Sequence, residues 1–277
     1  MDKLIFLGTA SAMAYHSYTT SIALTEESHV FITDGGSGNG VLLQLEKAGI
    51  PLLRVTDIFI SHCHTDHITG VIWLVRAIGH QFDRGQRTTP LTLYAHQEVL
   101  DTFRKIADLL MPRSVIGHFD QTILFQPVLS GDVRPIGPWQ ITFFDTGAKK
   151  TLQYGWKALL PNKETITFLG DEPLKEESVP YAQDSDYLIH EAFCLAADEE
   201  KYHPHRINHS TILDAVDNAT RLGVKHLILF HGEDDIDGTR QARYLKEACA
   251  HFNGPVSVPN DLDTITLQLE ENHDNCI

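Results

Sequence analysis

"FISHCHTDHITG", Phe59 to Gly70, places three imidazoles and a carboxylate within His62–His67, directly behind a short apolar run. If that run is a buried strand, His62 and His64 lie two apart at its end and project to the same side in extended backbone. Asp66 and His67 come where the chain turns into "HITGVIWLVRAIGH". There Val71, Leu74, Val75 and Ile78 fall at i, i+3, i+4 and i+7, a helical stripe. Four neighbouring polar groups would each need a partner inside an apolar core, so a core reading fails. A solvated loop could carry them, but imidazoles together with a carboxylate suit borderline divalent ions such as zinc. The cluster reads as a metal site at a strand-to-helix turn.

Working outward, other acidic and imidazole residues also end apolar runs. Asp34 ends "HVFITD", Asp145 ends "ITFFD", Asp171 ends "TITFLGD", His190 and Glu191 end "YLIHE", and His231 ends "LILFH". Any one strand-end Asp is read most simply as a turn residue; several such ends around one metal cluster suggest a rigid site at one edge of a sheet. Before the cluster, "KLIFLG", "TTSIALT" and "HVFITD" read as strands with "EES" as a hairpin turn, and "GNGVLLQLEKAGI" as a helix stopped by Gly49 and Pro51. After it come the strand "LTLYAH", the helix "QEVLDTFRKIADLLM" ending near Pro112, and the strands "TILFQPV", "WQITFFD", "YGWKALL" and "TITFLGD". The remainder reads as the helix "STILDAVDNATRLG" opened by Ser210 or His209, the strand "KHLILFHGED", the helix "TRQARYLKEACAHF" and the strand "DTITLQLE". No linker or repeat interrupts the series. The expectation is an α/β chain of two mixed sheets packed face to face with helices outside, one domain over residues 1–277, with 271–277 a frayed acidic tail.

The chain has 277 residues, 42% of them apolar, enough to bury a sizeable core. Its formal net charge of −15 repels phosphate backbones, which makes nucleic acid a poor default partner. Cys63, Cys194, Cys249 and Cys276 are scattered and read as reduced and intracellular. The apolar run Leu4–Leu7 is too short for a secretory segment, and no run approaches the ~18 apolar residues of a membrane span. A cytoplasmic protein without a membrane partner is expected. His203, His205 and His226 read as surface groups.

"HCHTDH", "FLGTASA", "ITDGG", "LGD" at Asp171 and "LILFH" at His231 together resemble the metallo-β-lactamase superfamily, and "LIHEA" and "HST" (His209 to Thr211) resemble its ribonuclease Z branch. The match runs over roughly residues 3 to 235. The resemblance implies an αββα four-layer sandwich and a centre of two divalent ions, zinc first, with manganese or iron as alternatives. His62 and His64 would hold one ion and Asp66, His67 and His231 the other, with Asp171 shared between them. A hydroxide bridging the ions would be the nucleophile, and Glu191 and His209 the proton-handling pair, with Asp66 at the catalytic centre. The reaction expected is phosphodiester hydrolysis; the alternatives are a thioester or other acyl hydrolase, or a binding protein with weakened catalysis.

Two departures from the family pattern stand out. The family carries a further His ligand where this chain reads "ITFFDTGAKKTLQYGW", and Gly147 takes its place. The first ion would then be only partly occupied, with water, Asp145 or the remote His118 filling in. Between Trp156 and Thr165 the chain is too short for the flexible arm with which ribonuclease Z grips tRNA. A small phosphodiester is therefore the expected substrate and tRNA a doubtful one. Assembly as a homodimer stays open.

Overall fold

The computed structural model describes residues 1–269, so the tail expected at 271–277 lies outside the described residues. The chain forms two compact units, one of Met1–Gly8, Tyr18–Leu129 and Asp261–Thr266, the other of Thr9–Ser17, Ser130–Asn260 and, among the described residues, 267–269.

The first unit is built on β1 (Lys3–Gly8), β2 (Ser21–Thr25), β3 (Val30–Thr33), β4 (Val55–Phe59), β5 (Leu91–Ala95), β6 (Ile123–Pro127) and the late strand β14 (Thr264–Thr266). They make one seven-stranded sheet in the order β14-β1-β2-β3-β4-β5-β6. The hairpin expected around "EES" joins β2 and β3 antiparallel, while β3 through β6 run parallel. Parallel neighbours need crossovers, and α1 (Gly40–Lys47), α2 (Thr65–Asp83), α3 (Gln97–Leu110) and α4 (Arg113–Ile116) lie in those connections. The stripe Val71, Leu74, Val75 and Ile78 is fully buried in a cluster with Ile58, Leu93, Leu100 and Phe103. That burial ties α2 to the sheet, at roughly 1.5–3 kcal/mol per large side chain.

The second unit has β7 (Val133–Ile136), β8 (Trp139–Asp145), β9 (Tyr154–Leu159), β10 (Thr165–Phe168), β11 (Tyr187–Glu191), β12 (His226–Phe230) and β13 (Val256–Ser257). Their order is β13-β12-β11-β10-β9-β8-β7. β7 to β10 are antiparallel and β10 to β13 parallel. The helices are α5 (Val179–Ala182), α6 (Glu199–Tyr202), α7 (Ile212–Arg221) and α8 (Arg240–His251). Leu188, Ile212, Val216, Leu227, Leu229 and Tyr244 share its core. β9 and β10 are joined by residues 160–164 alone, turned by Lys163 at φ 72°, so no arm leaves this hairpin.

Several local readings change. The cap of α7 is Thr211, not Ser210 or His209: its hydroxyl accepts from the Asp214 amide while Asp214 accepts from the Thr211 amide. Such caps contribute ~0.5–2 kcal/mol. His226 is buried, with Nε2 2.9 Å from Ser257 Oγ, because it starts a central strand. β7 and β13 went unread in the sequence; β13 spans only Val256–Ser257. Cys249 is disulfide-bonded, against the reading of all four cysteines as reduced, while Cys63 and Cys194 are free. No helix of the described residues is long and apolar enough to cross a membrane.

Candidate metal centre and proton-handling pair

In the first unit β4 stops at Phe59 and α2 starts at Thr65, so His62 and His64 sit in the intervening turn and Asp66 and His67 in the first helical turn. The His62 ring centroid is 4.5 Å from that of His64 and 4.1 Å from that of His67. His62, Asp66 and His67 are buried, and His64 is half-buried. Asp66 suits its place electrostatically, since a carboxylate in the first turn meets the positive end of the helix dipole.

Asp34 organises this cluster. It leaves β3 at φ 56°, and its carboxylate accepts from the Ser61 amide (2.8 Å), the Ser61 hydroxyl (2.6 Å) and His67 Nδ1 (2.8 Å). The His67 proton is therefore on Nδ1, which leaves Nε2 as the ring's ligating nitrogen and places Nε2 3.3 Å from Asp66 Oδ2. His62 Nδ1 is likewise 2.9 Å from Ser61 Oγ. The turn after Asp34 can lie this close to α2 only because of its glycines. Gly35 N–H donates to His67 O and Gly70 N–H to Gly36 O, and a Cβ on Gly70 would fall 1.8 Å from Gly35 O.

In the second unit Asp171 follows β10, buried, and one of its oxygens accepts from the Gln153 side-chain amide. Its other oxygen, Oδ2, lies 3.6 Å from Nε2 of His231, which follows β12 at φ 57°. Glu191, fully buried at the end of β11, accepts from the Ser210 amide through Oε1 (2.6 Å) and faces His209 Nδ1 through Oε2 (3.4 Å). The His209 ring stacks on Phe193 at 5.3 Å and its amide donates to Pro204 O, which fixes it over the carboxylate. His209 and His231 ring centroids are 5.4 Å apart. His190 points elsewhere: Nδ1 lies 2.6 Å from the Glu191 carbonyl and Nε2 3.2 Å from Asn218. Burial holds its pKa below the ordinary imidazole value, so it stays neutral.

The first unit thus gathers His62, His64, Asp66 and His67, and the second gathers Asp171, His231, Glu191 and His209. His118 is engaged with Asp83 at 3.0 Å. Asp145 Oδ1 accepts from the Gly147 amide at 2.8 Å, closing its own turn. Asp34 was visible in the sequence only as a strand end, and its role comes from the close turn that "DGG" permits. Gln153, Glu172 and Lys150 carried no sequence signal.

A divalent ion fits these donors. His67 has its second ring nitrogen committed to a carboxylate and His62 to a hydroxyl, the arrangement that orients metal-bound imidazoles. Asp66, Asp171 and His231 are buried side chains of ligating type.

A family model described as "Anti-Pycsar protein Apyc1" matches residues 2–221. Ribonuclease Z of Methanothermobacter thermautotrophicus is 26% identical, covering 97% of this chain and 97% of its own. Ribonuclease Z of Pyrobaculum neutrophilum is 26% identical over 96% of this chain and 99% of its own. Among solved structures, the metallo-β-lactamase fold protein YhfI from Bacillus subtilis superposes with TM-score 0.77 at 20% identity, covering 95% of this chain and 98% of that one. The short form of human tRNase Z superposes at 0.73 and 21%, over 96% and 100%. With two mixed sheets flanked by helices, these likenesses uphold the expected fold class.

Proposed function

The chain belongs to the Anti-Pycsar protein Apyc1 family and is a ribonuclease Z-like, metal-dependent hydrolase of the metallo-β-lactamase superfamily, and on that premise we propose that it hydrolyses small phosphodiesters. His62, His64, Asp66 and His67 of the first unit and Asp171 and His231 of the second are the side chains that would hold divalent metal. Zinc suits this imidazole and carboxylate set, with manganese or iron as alternatives. Bound divalent ions would supply an activated water and neutralise the charge that develops at phosphorus.

The observation that carries the phosphodiester reading is the Glu191–His209 pair. A buried carboxylate facing Nδ1 of a stacked imidazole orients that ring for proton transfer. An alkoxide leaving from phosphorus needs such a group, and a thiolate leaving from a thioester does not. The small substrate follows from the net charge of −15 and from the short 160–164 hairpin, which offers tRNA no arm.

Metal content per chain, measured alongside turnover of an alkyl nitrophenyl phosphodiester, a thioester and precursor tRNA, tests the reading. Metal-dependent turnover of the phosphodiester, with tRNA bound weakly and released by salt, is expected. Thioester turnover without phosphodiester turnover would overturn it.

A further inference from the structure

The loop after β8, where the resemblance places a third imidazole, supplies a cation instead. Gly147 there sits at φ 71° with its amide held by Asp145, so position 147 offers no ligand. Farther along, Glu172 is only 4% exposed, and its two oxygens accept from the Lys149 and Lys150 amides at 3.0 Å each. A buried carboxylate clamped on two successive amides fixes the backbone of an otherwise exposed pair of lysines. The consequence is directional. Lys150 Nζ lies 3.3 Å from Nε2 of His209, the ring nitrogen opposite Glu191.

An ammonium has donors only, so Nε2 must accept and the ring proton must be on Nδ1, facing Glu191. The contact is a weak reason for a long, flexible side chain to stay there, because ordering a lysine costs up to ~2 kcal/mol of rotamer entropy. A phosphate oxygen is a better acceptor for an ammonium than a neutral imidazole is. In a chain of net charge −15, a fixed cation beside the proton-handling pair also answers the repulsion an anionic substrate would otherwise meet.

We propose that Lys150 is a substrate-binding residue whose ammonium takes a non-bridging oxygen of the phosphodiester. On binding, Nζ exchanges the imidazole nitrogen for the phosphate oxygen. Glu172 is the positioning residue that aims the loop. The inference rests on the phosphodiesterase reading and deepens it.

The test compares the wild-type chain with Lys150→Gln and Lys150→Arg, with metal per chain and thermal midpoint measured for each. Lys150→Gln should raise KM for the alkyl nitrophenyl phosphodiester, and the dissociation constant of inorganic phosphate measured by calorimetry, by about 10–100-fold, the effect of a charge-assisted hydrogen bond. Its kcat should change less, its metal content and midpoint should stay put, and Lys150→Arg should restore most of the binding. Unchanged KM and phosphate affinity in Lys150→Gln overturns the inference, and so does a loss that tracks lost metal. A wild-type chain that turns over no phosphodiester overturns the reaction assignment alone. In that case weakened phosphate binding in Lys150→Gln still supports Lys150 as the anion site, and unchanged binding removes it.

Discussion

The two units assemble their chemical groups in opposite ways. In the first, His62, His64, Asp66 and His67 come from one strand-to-helix turn, and a single carboxylate, Asp34, locks it. In the second, Asp171, Glu191, His209, His231 and Lys150 come from separate segments, each oriented by its own neighbour: Gln153, Ser210, Phe193 and Glu172 among them. Register does the gathering there. β10, β11 and β12 are parallel, with Phe168 opposite Ile189 and Glu191 opposite Phe230, so the residues that leave their ends emerge at one edge. A local cluster depends on one orienting residue, whereas a distributed one should fail piece by piece.

The sharpest break between the two is His209→Ala. If the second unit handles the proton, kcat on a poor-leaving-group phosphodiester should fall by roughly 10²–10⁴-fold. The loss should shrink on a nitrophenyl diester, whose leaving group needs no proton, and metal content should not change. Equal losses on both substrates would make His209 structural. The counterpart in the first unit is Asp34→Ala. Removing the carboxylate behind His67 should weaken metal binding by about 10–100-fold, read by competition with a chelating dye. An Asp34→Ala chain with undiminished metal affinity would show that the turn holds its shape without its lock.

The same contrast explains what the sequence made legible. "HCHTDH" can be read because its donors are contiguous, and apolar runs ending in Asp, Glu or His marked β10, β11 and β12 correctly. Orienting residues were hidden. Gln153 and Glu172 act through pairings across the β8–β9 and β10–β11 connections, which no periodicity reports. Asp34 looked like a turn residue until the Gly35–Gly70 approach brought it under His67. His226 was misread because a polar residue that starts a buried strand looks the same in sequence as one in a loop. β13 is too short to show alternation.

A smaller effect separates His190 from its neighbour Glu191. The fold keeps His190 neutral by burial, with its pKa below the ordinary value of about 6.5. The unfolded chain takes up a proton at this site as pH falls through about 6.5 and the folded chain does not. The stability tied to His190 is therefore fully present above that pH and lost progressively below it. Denaturant midpoints should fall between pH 7.5 and 5.5, and less steeply in His190→Gln. An unaltered slope in the variant would remove His190 from the acid response.

The smallest expected effect concerns Gly147, and it sharpens the comparison most finely because it asks whether the second unit has lost a ligand or replaced it. A vacant-ligand view holds that Gly147→His would add a metal ligand. The backbone argues otherwise. At φ 71° any side chain carries the left-handed penalty, about 1–2 kcal/mol, and a Cβ there would fall 2.4 Å from Glu177 Oε2. Glu177 is exposed and can swing aside, so the lasting cost is the conformational one. Gly147→Ala should then lower unfolding free energy by about 1–2 kcal/mol, Gly147→Asn by less because Asn tolerates this region, and Glu177→Ala should rescue neither. Gly147→His should carry the same cost without tightening metal binding. If it instead raised metal affinity at unchanged stability, the loop would be a ligand position waiting to be filled, and Lys150 an incidental neighbour.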